Sequence, residues 1–86
     1  MTYFFLSNIK RKNEDVVAQM LGYNTLNEAE IKYHDEVSYA LKLTDVEIAH
    51  FEVRDETGFT CNVLVKTIDN REQNVQITEQ NQNVEV

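Results

Sequence analysis

A chain of 86 residues with 42% hydrophobic and 27% charged side chains has the make-up of one small globular domain with a single modest core. Fifteen acids against eight bases leave a net charge of −7, which repels nucleic acid and anionic membranes and favours basic protein surfaces. The lone Cys61 forms no internal disulfide, so a cytoplasmic location is the default expectation.

In chain order, Tyr3 to Leu6 make a short apolar run followed by the basic triplet Lys10-Arg11-Lys12. That is the wrong length and charge order for a signal peptide, and no stretch is long enough to span a bilayer. The "TYFFL" segment reads as an edge strand. Asn13 then stands as an N-cap ahead of Glu14 and Asp15, and Val16, Val17, Met20 and Leu21 share one helical face before Gly22. This spacing predicts a short helix over 13–21.

The stretch from Thr25 to Val53 supports two readings. Thr25-x-x-Glu28 forms a capping box that opens a long helix over 26–43, followed by a three-stranded antiparallel sheet. In the other, the alternation of Ala29, Ile31 and Tyr33, then of Val37, Tyr39, Leu41 and Leu43, predicts strands. Pairing register favours the strands. A loop of Glu56, Thr57 and Gly58, with glycine at positive φ, pairs Val53 with Cys61, Phe51 with Val63 and Ala49 with Val65 on one face. Loops at 44–46 and 34–36 continue that face. They pair Leu41 with Ala49, Tyr39 with Phe51 and Val37 with Val53, then Tyr33 with Val37, Ile31 with Tyr39 and Ala29 with Leu41.

A last hairpin, through "DNRE" to "NVQIT", leaves the faces of Val75 and Ile77 open. "EQNQNVEV" (79–86) reads as a polar tail, so one domain is expected over 1–79 with a frayed tail at 80–86. The expected fold is α+β: an antiparallel meander of about four to six strands with the helix at 13–21 on its apolar face.

That register places Cys61 in the core and His50 on the outer face, so the two form neither a metal pair nor a nucleophile and base. His34, Asp35 and Glu36 splay apart in a tight turn, and no second His or Cys comes at zinc spacing. Neither glycine lies in a phosphate-cradling loop. Ser7 and Ser38 lack a nucleophile-elbow context, and basic residues are not interleaved with aromatics. Paired carboxylates would need a cleft. The expectation is a protein that is not an enzyme and holds no cofactor and no metal.

The acids are the remaining signal. From Asn13 to Glu56 there are eleven acids and three bases, apart from the basic triplet. Alternate loops of a meander share an end, which sets Asp35 and Glu36 about 10 Å from Asp55 and Glu56. Spaced carboxylates of this kind imitate a phosphate backbone. With Glu28 and Glu30 in support, these residues are the expected partner-binding set of an inhibitor or adaptor of a basic, nucleic-acid-handling protein. Small phage anti-defence proteins, such as inhibitors of CRISPR nucleases, share this profile of size and acidity, without a motif behind the likeness. Direct contact with nucleic acid or membrane is not expected. The alternative is a structural or assembly subunit that forms a homodimer through a sheet edge, the acids serving only solvation.

Overall fold

The computed structural model describes residues 1–71. Five elements follow one another: β1 (Tyr3–Arg11), β2 (Val17–Tyr23), α1 (Leu26–Lys42), β3 (Val46–Asp55) and β4 (Thr60–Asp69). The strands form one antiparallel sheet in the order β2-β1-β3-β4, and α1 packs on one face of it, mainly over β1 and β3. The α+β class with a single helix on an antiparallel sheet agrees with the expectation. The place of the helix in the chain does not.

Residues 13–21 are a turn and a strand, not a helix. Asn13 has φ of +63°, a left-handed position that Asn tolerates better than most side chains, and Glu14 N donates to Arg11 O. Asn13 therefore serves as the turn residue of the β1–β2 hairpin instead of as an N-cap. "TYFFL" does open a strand, but β1 is central, paired on both sides: Phe5 faces Leu21 on β2 and Val53 on β3.

The long-helix reading is the one realised over 26–42, so the loops expected at 34–36 and 44–46 do not join strands. Thr25 is the N-cap, its Oγ1 accepting from Glu28 N at 3.2 Å. Ala29, Tyr33 and Ala40 are buried against the sheet, a spacing of four and seven residues that follows the helical period. Ile31, Tyr39 and Leu41, the other half of the alternating set, are each more than half exposed.

The core is built from odd-numbered residues of β1 and β3. Phe5, Ala49, Phe51 and Val53 are fully buried with Ala29 of α1, and the rings of Phe5 and Phe51 stack 6.5 Å apart. The β3–β4 turn is as expected: Gly58 has φ of +93°, Gly58 N donates to Asp55 O, and Asp55 N donates to Phe59 O. Arg54 faces Thr60 in the expected register. Beyond it β4 bulges. Glu52 faces Val65, where an uninterrupted hairpin would place residue 62, a shift of three residues. An odd shift reverses the faces of a strand, so Phe51 faces Lys66 and Ala49 faces Ile68. Leu64 is buried while Val65 is 45% exposed. Cys61 packs against the core half-buried, and burial raises its thiol pKa. The last expected hairpin and the polar tail lie outside the described residues.

Candidate protein-interaction surface

Among the described residues, the helix covers one face of the sheet and leaves the other open. Because side chains alternate along a strand, burial of Phe5 and Ser7 under α1 sends Phe4, Leu6 and Asn8 to the open face. Their partners across β1 and β2 are Gly22, Met20 and Ala18. Phe4 lies over Gly22: a Cβ there would stand 3.4 Å from Phe4 Cε1, so the absent side chain lets the ring rest on β2. A shallow groove between Phe4, Leu6 and Met20 runs to Arg54, Asp55 and Gly58 at the β3–β4 turn. A second lies between Leu6 and Asn8 on β1 and Ala18 and Met20 on β2.

The helix side of β2 is apolar as well. Ile9 and Val17 stand opposite each other and line a cleft with Tyr39 of α1 and its C-cap Leu43, closed off by Arg11 and Glu14. Among the described residues, β2 thus ends the sheet on one side with exposed Val17 (62%) and Met20 (64%) on opposite faces. From Val16 to Tyr23 it carries no charged residue and no proline. Natural edge strands are commonly guarded by lysine, proline or a bulge. Along β2 the register with β1 is unbroken, and none of those guards is present.

The β3–β4 half of the open face is polar and closely bonded. Glu52 is only 7% exposed, and its carboxylate accepts from Arg54 Nε at 2.6 Å and from Thr60 Oγ1 at 3.0 Å. His50 Nε2 lies 2.9 Å from Glu52 Oε1, and His50 Nδ1 lies 2.8 Å from Thr67 Oγ1. The Arg54 guanidinium, helped by the His50 and Thr60 hydrogen bonds, holds the Glu52 carboxyl down at about 2 against desolvation. Hydroxyl, imidazole and carboxylate in series have the contacts of a proton relay, but the carboxylate is bound by an arginine and the group sits on a flat sheet. These bonds satisfy the buried Glu52 carboxylate.

The six acids expected to form the contact set are only partly brought together. Register places Tyr23, Tyr3 and Asp55 side by side, so the start of α1 with Glu28 shares an end with Asp55 and Glu56. Asp35 and Glu36 are helical, not in a loop, and lie about two turns along α1 from Glu28. The expected 10 Å pairing of two acidic loops is therefore not formed. Most of the six are already engaged: Glu36 with Lys32 at 2.9 Å and Glu30 with His34 at 3.4 Å, Glu56 with Thr2 N at 2.7 Å. Asp55 accepts from Thr57 N, Thr57 Oγ1 and Phe59 N, chiefly the Thr57 hydroxyl, which lowers its pKa. Among the described residues, Glu28 and Asp35 make no side-chain ion pair or hydrogen bond. The basic triplet is not segregated either, since Arg11 binds Asp45 at 3.0 and 3.1 Å and Lys10 approaches Glu47 at 3.5 Å.

No helix among the described residues is long and apolar enough to cross a membrane, and no cluster of three metal-ligating side chains occurs among them. Comparison of the chain with protein-family models, curated proteins and solved structures finds no match, so residue chemistry alone carries the functional reading. What sequence reasoning missed is β2. Its signal was present in the uncharged stretch from Val16 to Asn27, in a chain of net charge −7.

Proposed function

We propose that this protein is a non-catalytic binding module whose contact surface is the β2 edge and the apolar strip beside it. The carrying observation is that, among the described residues, β2 ends the sheet uncharged and unguarded, with exposed apolar residues on both faces. An edge strand offers a row of backbone donors and acceptors, and an extended segment added there gains main-chain hydrogen bonds while flanking grooves read its side chains. Here the open-face grooves beside Met20 and the cleft beside Val17 are those flanks.

The acidic surplus supports a second reading, an inhibitor or adaptor of a basic nucleic-acid-handling protein. Its favouring observation is that Glu28 and Asp35, seven residues apart on the exposed part of α1, leave their carboxylates open to a cationic partner. Capture from cell extract by the tagged chain, by Met20→Lys and by a Glu28→Lys/Asp35→Lys variant separates the two. Edge binding predicts that Met20→Lys loses the captured protein, that the helix variant keeps it, and that moderate salt does not release it. Loss with the helix variant and release by moderate salt would overturn the edge reading in favour of the acidic one.

A further inference from the structure

The partner that the β2 edge fits best is a second copy of the chain. We infer that β2 pairs antiparallel with β2 of another copy about a two-fold axis normal to the sheet, joining two four-stranded sheets into one. This rests on the edge reading above and names its occupant.

Charge comes first. Two chains of net charge −7 repel each other wherever acids meet, and the edge from Val16 to Tyr23 is uncharged, so two copies approach there without opposed carboxylates. Symmetry then restricts the register. A two-fold normal to the sheet keeps every residue on its own face, and opposed residues of an antiparallel pair share a face. The numbers of each opposed pair must therefore sum to an even value. Of the registers this permits, the one centred on Met20 pairs all of Val17–Tyr23 with its copy.

That register makes chemical sense on both faces. On the open face Met20 meets its own copy, Ala18 meets Gly22, and the Phe4–Leu6–Met20 strips of the two chains become continuous. On the helix face the exposed Val17 of one copy lies beside the half-buried Tyr23 of the other, and Gln19 lies beside Leu21. The strand ends are mixed in charge. The β1–β2 turn, where Lys12 is exposed and has no ion pair among the described residues, reaches the end of the second copy where α1 begins with Glu28. Glu14 and Asp15 share that turn and meet Glu28 as well, so the ends add no net attraction and the uncharged strand between them carries the pairing.

Sedimentation equilibrium over a concentration series tests this, with the native chain, Met20→Lys, Val17→Lys, and Met20→Cys in a Cys61→Ser background. The native chain should reach twice the 10.1 kDa mass of one chain. Either lysine variant should stay at single mass with an unchanged circular dichroism spectrum, since both positions are more than 60% exposed. Directly opposed positions bring Cβ atoms to about 4.5–5.5 Å, so the Met20→Cys chain should cross-link to its copy under mild oxidation. A native chain that remains single at every concentration overturns the inference. The edge reading survives that result if Met20→Lys still abolishes capture of another protein. A dimer indifferent to both lysines also overturns the inference, and the edge reading is then overturned too if Met20→Lys keeps the captured protein.

Discussion

Leu6 and Met20 stand opposite each other across β1 and β2, on the sheet face that α1 leaves open. Phe5, one residue away, is fully buried beneath the helix. The same strand therefore serves the core with one set of side chains and a contact surface with the other. An apolar residue that serves the core is costly to remove, and one that serves a surface is not. Phe51→Ala should destabilise the fold by about 3–5 kcal/mol, whereas Met20→Lys should change it by no more than about 0.5 kcal/mol. Urea denaturation of both variants, at concentrations where the chain is dilute, checks the contrast.

Glu52 supplies the pH dependence. Its carboxyl is held at about 2 in the fold against an ordinary value of 4.5, first by the Arg54 hydrogen bond. A folded pKa below the unfolded one contributes stability that is complete above pH 4.5 and is lost as pH falls towards 2. Glu52→Gln should cost about 1.5–3 kcal/mol at neutral pH, the range for hydrogen bonds to a charged group. It should also flatten the fall in stability across that acid window. Asp45, Asp55 and Asp69 are lowered too, so a residual slope should remain. Denaturation midpoints at a series of pH values read both effects.

Gly58 turns the β3–β4 hairpin at φ of +93°, and nothing stands within 4 Å of where its Cβ would be. The cost of a side chain there is conformational, not steric crowding by neighbours. Gly58→Ala should destabilise by about 1–2 kcal/mol, whereas a glycine whose φ suited alanine would gain from the same change. Equilibrium unfolding distinguishes the two signs.

Thr25 holds the first turn of α1 through its hydroxyl and Glu28 N. Thr25→Ala should cost about 1 kcal/mol, measured the same way. The accompanying loss of helical signal should be confined to the start of α1 in exchange-resolved spectra.

These elements differ in how plainly the sequence announced them. The Gly58 turn and the Thr25 cap were legible because each depends on one residue's local chemistry. The helix over 26–42 was obscured by Ile31, Tyr39 and Leu41, apolar residues left in solvent that turn a helical stripe into apparent alternation. The β4 register was lost to its bulge, which no single residue marks. β2 was the hardest: its two faces are both apolar, so it shows no period of two, and Val16, Val17, Met20 and Leu21 fall by chance on a helical spacing. The acidic set looked coherent only because Asp35 and Glu36 were placed in a loop. The property that hid β2 as a strand is the one that qualifies it as a binding edge.

Amide hydrogen exchange along β2 tests the central claim most directly, because alternate backbone N–H groups of an edge strand point away from β1, its partner among the described strands. The account predicts that the outward amides of Val17–Tyr23 exchange rapidly in dilute protein and become protected as concentration rises, while α1 is unchanged. It also predicts that Met20→Lys removes this protection. Exchange along β2 that is independent of concentration and of Met20→Lys would contradict a β2 edge that binds a second copy.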